Sequence, residues 1–116
     1  MSAEISNVPL QYELSPTLEG VRVYTNVDYL SRVLDNLYSN IVKYADHQLP
    51  AVFYVEYRDR MVVVTGENKI AKHSGKVEST KLGLLTCESI MHALQGSFRT
   101  QKKDDTFTVV LSLPTK

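Results

Sequence analysis

Asn36, Asn40 and Lys43 stand at i, i+4 and i+7 within VDYLSRVLDNLYSNIVKYA, the stretch from Val27 to Ala45. On a helix, residues so spaced share a face. Two side-chain amides and an ammonium on one face can meet an anion together with its metal. Amide and carboxylate oxygens suit a hard cation such as Mg²⁺, which keeps several of its waters and commonly also binds substrate phosphates. Lysine supplies a point charge for a phosphate oxygen. The same residues have an ordinary reading as well. Asparagines on a helix flank are usually solvated or bonded to a neighbouring loop, and polar rims are common.

The element that must position them is the helix itself. Leu30, Val33, Leu34, Leu37, Ile41 and Ala45 recur at helical spacing and predict its apolar face. At about 100° per residue the Asn stripe does not lie opposite that face but flanks it, next to Val33. Polar groups there are expected to be half-buried at the rim of the core. Asn26 is positioned to cap the helix, and Asp28 places a carboxylate in its first turn. The segment DHQLP, Asp46 to Pro50, ends it, since proline cannot continue a helix.

A second group, Thr80-Lys81-Leu82-Gly83-Leu84, opens another helix, predicted over Leu82 to Leu94 with Ser79 and Thr80 as natural N-caps. A helix start offers free N–H groups and the positive end of the dipole to an anion. Gly83 removes a side chain there, so a phosphate could come close to the backbone. The alternative is a glycine that lets two elements pack. Leu84, Leu85, Cys87, Ile90, Met91 and Leu94 are expected to line the buried side, and Gly96 to stop the helix.

The rest of the chain reads as strands and turns. Val8 to Leu14 and Val21 to Tyr24 predict two short strands separated by the turn SPTLEG. Val52 to Tyr57 and Met61 to Thr65 predict a hairpin joined by RDR. Gly66 to Ser79 lacks a period and reads as a long loop, of the kind that often covers a site. Ser97 to Gln101 and Phe107 to Leu113 predict a last pair of strands around the polar tip KKDD. The order predicts an α/β fold: a two-layer α/β sandwich, with one mixed, mainly antiparallel sheet and helices on one face.

The 116 residues suffice for one domain with a proper core. Hydrophobic residues make up 43% and charged residues 22%, the balance of an ordinary globule. Thirteen basic residues match thirteen acidic ones, so nothing in the charge points to nucleic acid. A single cysteine, Cys87, excludes an internal disulfide and a cysteine cluster for zinc. With no long apolar run and no signal peptide, the expectation is a cytoplasmic domain that is not inserted in a membrane, whatever a longer parent chain does.

Taken in order, RVLDNLYSNIVKYA, a hairpin, a loop, STKLGLLTCESIMHALQGSF and the final strand TFTVVLSLP resemble the ATP-binding catalytic domain of bacterial sensor histidine kinases. This domain belongs to the superfamily shared with gyrase B and MutL. The resemblance runs from about Val8 to Pro114. NLYSNIVKYA looks like the family's N box, and KLGLLTCESIMHALQGSF like its second glycine box with the helix and strand that follow. The resemblance implies one ATP-binding kinase domain, a fragment of a longer sensor kinase, that binds ATP with Mg²⁺. Asn40 would be the metal ligand and Asn36 would face the phosphates or the metal's waters. Lys43 would contact a phosphate, and Tyr44 would pack on the adenine or ribose. Thr80, Gly83 and Leu84 would form the phosphate-facing start of the second helix. ATP-hydrolysing members carry Glu where this chain has Asn36. An amide cannot act as general base toward water, which suits the branch that passes the phosphoryl group to a histidine.

Two departures stand out. The family's first glycine box reads Asp-x-Gly-x-Gly, its Asp recognising the adenine amino group; here GENKIAK follows the strand, Asn68 is the best match to that Asp, and both glycines are gone. An amide oxygen still accepts from an amino group, though without the strengthening charge. In the second box Ser79 and Lys81 replace glycines. The phospho-acceptor is also missing: His47, His73 and His92 are each followed by a non-acidic residue, and all three are expected at the surface. The resemblance therefore implies a dimerisation and phospho-acceptor helix elsewhere in the parent protein, with a response regulator downstream. The alternative is a degenerate, non-catalytic domain of the same fold that serves docking or signalling. A serine kinase of the anti-sigma-factor type ranks third, because that branch normally keeps Glu near the position of Asn36.

Overall fold

Alternating apolar residues in two β-branched runs build the centre of the molecule. In the computed structural model, which describes residues 9–46, 48–71 and 78–115 and only the backbone of 78–82, the strands are β1 (Leu10–Leu14), β2 (Ala51–Arg58), β3 (Met61–Lys69), β4 (Ser97–Lys103) and β5 (Thr106–Pro114). They form one sheet in the order β1-β2-β3-β5-β4. β1 runs parallel to β2, and the other pairings are antiparallel. Two helices, α1 (Val27–Tyr44) and α2 (Glu78–Ala93), supply the second layer. The predicted α/β sandwich with a mixed, mainly antiparallel sheet is the fold observed.

The sheet's covered face is set by the two-residue period of a strand. Val109, Leu111 and Leu113 of β5 and Phe98 of β4 are buried there against Val33 and Leu37 of α1 and Cys87 and Met91 of α2. A second cluster joins Ile41 and Ala45 of α1 to Ala51 of β2, with Leu10 and Phe53 packed on it. Thus α2 covers the N-terminal half of the α1 core face, while β1 and β2 receive its C-terminal half. Leu34, expected in the core, is 49% exposed. It lies about 100° around the helix from Val33, an arc that is covered only near Ala45, by the second cluster.

Local chemistry explains most boundaries. Asn26 Oδ1 accepts from the Tyr29 N–H at 3.1 Å, which is the predicted cap of α1. The β2–β3 turn holds Asp59 and Arg60 at φ 55 and 65, the left-handed pair a two-residue hairpin requires. Asp104, at φ 55, turns β4 into β5, while Lys102 and Lys103 of the predicted tip extend β4.

Leu85, expected on the buried side of α2, is 59% exposed, and four further expectations are corrected. Val21 to Tyr24 makes no strand; it is the irregular approach to α1 that follows a 3-10 turn at Pro16–Leu18. Gly66 to Lys69 belongs to β3 rather than to a loop, because these residues pair with β5 from Val109 to Thr106. α2 begins at Glu78, so Ser79 and Thr80 lie inside it and do not cap it. Gly96 is not the left-handed residue that ends α2. Gln95 takes that conformation at φ 64, with Gln95 N–H donating to His92 O and Gly96 N–H to Met91 O, the two bonds of a Schellman motif. Gly96 is needed for a different reason: a Cβ there would run into the Ser112 carbonyl of β5. Val8, His47, His73 and the predicted loop over 72–77 lie outside the described residues, and His92 is exposed as expected.

Candidate functional site

The rim of α1 begins where its core face is divided. Between Leu37, which packs under α2, and Ile41, which packs on β2, stands Asn40. Its residue is half-buried, and its Nδ2 is a buried donor with no partner among the described residues. Which end of an amide is nitrogen is an assignment rather than an observation, so the group presents either a donor or an acceptor at that point. A buried polar atom left unpaired is costly, and few are tolerated without reason.

Asn36, one turn earlier, is also half-buried. Burial pushes the pKa of the Cys87 thiol on α2 up, and the Asn36 amide offsets part of that rise. Lys43 is exposed one turn beyond Asn40. It also sits in the last turn of α1, where a cation complements the helix dipole.

The C-terminal turn of α1 is tied to the end of β3. Asp46 N–H donates to Lys69 O at 2.8 Å, Ala71 N–H donates to Tyr44 O at 2.8 Å, and Ala45 bridges to Ile70. These bonds bring half-buried Tyr44 beside the strand end that carries Asn68. Asn68 follows Gly66 by two residues, so it faces the covered side of the sheet, opposite Phe107 in the ladder. Its Nδ2 donates to Lys69 O at 3.1 Å.

Thr80 is the third residue of α2, and its side chain lies outside the described residues. Gly83 and Leu84 fall in the second turn, where N–H groups already belong to the helical ladder. Among the described residues, a Cβ added at Gly83 would meet nothing within 4 Å. Leu84 is half-buried on the first core cluster and, with Leu85 and Phe98, lines a hollow of about 470 Å³ between α2 and β4. The structure thus joins Tyr44 to the Asn68 end of β3, with Asn36, Asn40 and Lys43 along the rim of α1.

This sheet order, with two helices on one face, is the fold of histidine kinase catalytic domains. The chain superposes on histidine kinase AdeS of Acinetobacter baumannii with a TM-score of 0.76 at 17% identity, covering 98% of this chain and 57% of that one. It superposes on the catalytic domain of histidine kinase ThkA with a TM-score of 0.76 at 17% identity, covering 98% and 84%. For the mycobacterial sensor histidine kinase MprB the TM-score is 0.77 at 12% identity, covering 99% and 87%. Among curated proteins it is similar to sensor histidine kinase YrkQ of Bacillus subtilis, 29% identical over 100 residues. That match takes in 84% of this chain and 23% of the relative's length. No family model matches the chain. Among the described residues no helix is long and apolar enough to cross a membrane.

Proposed function

We propose that this chain is the ATP-binding kinase domain of a longer sensor histidine kinase, and that it binds ATP with Mg²⁺ on the α1 rim for transfer of the γ-phosphoryl group to a histidine on a separate helix. The observation that carries the reading is the Asn40 amide, whose buried Nδ2 has no partner among the described residues, on the face it shares with Asn36 and Lys43. An oxygen-donor amide fits a hard cation that keeps most of its waters. Asn40 would hold the metal, and Asn36 would accept from its waters. Bound there, the cation would neutralise charge on the phosphates. Lys43, exposed one turn beyond Asn40, adds a point charge toward a phosphate oxygen.

The other residues serve orientation. Tyr44 and Asn68 lie together at the tied ends of α1 and β3, which suits a purine-binding corner. Because Asn68 spends its nitrogen on Lys69 O, its oxygen remains to accept from an amino group. Gly83 leaves open space over α2 for a group from outside the chain. Catalysis would rest on positioning and charge neutralisation, and the phospho-acceptor helix and response regulator would be partners of the parent protein. An amide at Asn36 gives no base toward water, so phosphoryl transfer is favoured over hydrolysis.

The second reading, a non-catalytic docking domain of the same fold, draws support from β3. Residues Gly66 to Lys69, at the place of the glycine-rich turn of the resemblance, are engaged in the ladder with β5. A thermal shift with and without Mg²⁺ separates the two. Ligand at about 100 times its dissociation constant adds roughly 2.7 kcal/mol, several degrees for a domain of this size. A metal-dependent shift with ATP or ADP supports the kinase domain. No shift at several millimolar ligand moves the docking domain to first place.

A further inference from the structure

β4 ends the sheet beyond β5, so one row of its backbone N–H and C=O groups points away from the ladder. Among the described residues, no backbone group from Ser97 to Lys103 bonds outside the β4–β5 pairing. Every residue of β4 except Phe98 is exposed. Side chains of a strand alternate between its faces. Thr100 and Lys102 therefore share the helix-covered side with Phe98, while Arg99, Gln101 and Lys103 share the open side. On the covered side the edge is not closed. Leu84, Leu85 and Glu88 of α2 face Phe98, Arg99 and Thr100 across the hollow of about 470 Å³, and Leu85 is 59% exposed. Among the described residues, Arg99, Lys102, Lys103 and Glu88 make no ion pair.

We propose that the β4 edge and the hollow beside it dock an extended segment of a partner protein, one that alternates apolar and acidic side chains and joins the sheet as a sixth strand. Such a strand lies about 4.8 Å beyond β4. Its main chain pairs with the open row, and its alternate side chains supply specificity. Those on the covered side enter the hollow over Phe98 and Leu85. Those on the open side lie beside Arg99 and Lys103. Charge decides the occupant, since opposite charges across a strand pair attract and like charges repel. The stretch from Ser97 to Lys103 carries three cations and no anion. Glu88, on the wall of the hollow, disfavours an acid inside it and leaves that row apolar. A second copy offering its own β4 would set cation against cation. One offering β1 brings five residues with a single anion, Glu13, too few to meet Arg99 and Lys103 together. The competing account is that the cations only guard the edge against pairing. A guard explains Arg99, Lys102 and Lys103, but not an open apolar hollow next to them. The inference does not depend on nucleotide binding.

The test titrates the chain with three short peptides blocked at both ends and follows the β4 amides by NMR and hydrogen exchange. The first alternates valine and glutamate, the second valine and lysine. The third has proline in place of each valine of the first, which removes those N–H donors. The expected result is binding of the valine–glutamate peptide alone, with several-fold slower exchange of the outward β4 amides. The double variant Arg99→Glu with Lys103→Glu should weaken that binding by about 10-fold or more and confer binding of the lysine peptide. Leu85→Asp should weaken it by about 10-fold, through a charge set against the apolar row. All three positions are exposed, so these variants should keep the fold. No slowing of β4 exchange at millimolar valine–glutamate peptide overturns the proposal and leaves the cations as an edge guard. Equal binding of the lysine or proline peptide overturns it, and so does unchanged affinity in either variant. β4 exchange that slows with chain concentration in the absence of peptide assigns the edge to a second copy and overturns the partner strand.

Discussion

Two kinds of glycine mark two regions of this molecule. Gly66 and Gly96 lie in the sheet framework, where the space of a side chain is already taken: a Cβ at Gly66 would stand 2.6 Å from Phe53 Cε1, and one at Gly96 would overlap the Ser112 carbonyl. Gly83 lies inside α2, where a Cβ would meet nothing among the described residues. A helix-interior glycine costs about 1 kcal/mol relative to alanine, and no described residue packs against the place of its missing side chain. The same contrast holds for polar groups. Ser97 and Ser112 on the framework satisfy each other at 2.6 Å, while the buried Asn40 Nδ2 has no partner among the described residues.

Substitutions can break this contrast, and the largest effect belongs to the framework. Gly96→Ala forces backbone apart from backbone and should lower stability by about 3 kcal/mol or more, read from urea unfolding. Next comes Asn40→Ala, expected to reduce Mg-dependent nucleotide affinity by about 100-fold in calorimetry. Ligand-free stability should stay within about 0.5 kcal/mol, because the lost donor was unpaired and its removal leaves no broken bond. A collapse of ligand-free stability would instead make Asn40 a framework residue. Gly66→Ala meets a ring that can swing aside, so its loss should be smaller, about 2 kcal/mol. Gly83→Ala should go the other way, raising ligand-free stability by up to about 1 kcal/mol while weakening nucleotide binding. A fall in stability would show that Gly83 is packed after all.

The smallest effect is in pH. Burial raises the folded thiol of Cys87 above its unfolded value. Below the ordinary thiol value of about 8.5 both states keep the proton, and the stabilisation is whole. As pH climbs past that value the unfolded chain sheds its proton first, and stability falls until the folded thiol also titrates. Denaturant midpoints measured above pH 8.5 should therefore fall more steeply in the native chain than in Cys87→Val.

Much of the fold was legible because its signals are local. The cap at Asn26, the length of α1, the hairpin through Asp59 and Arg60 and the pairing of the last two strands each follow from side chains within a few residues of one another. The common face of Asn36, Asn40 and Lys43 was legible for the same reason, since helical geometry fixes it. The errors fall where a distant partner decides. Nothing local in GENK shows that β5 will pair with it and carry β3 on to Lys69. A glycine near a helix end suggests a left-handed stop, yet Gln95 takes that conformation and Gly96 answers to a carbonyl on another strand.

By itself, then, the sequence determined which residues share a face of α1, where that helix starts, and that a polar stripe would border its core. Periodicity sets faces relative to one another along a single element. Only the tertiary structure decided which stretch of each face is covered and by what. It left Leu34 open while burying Ala45, divided the α1 core between α2 and β2 at Asn40, and set the Cys87 sulfur against the Val33 carbonyl. Those outcomes depend on where α2 and the sheet come to rest, a balance of packing between elements far apart in the chain that no spacing within one element encodes.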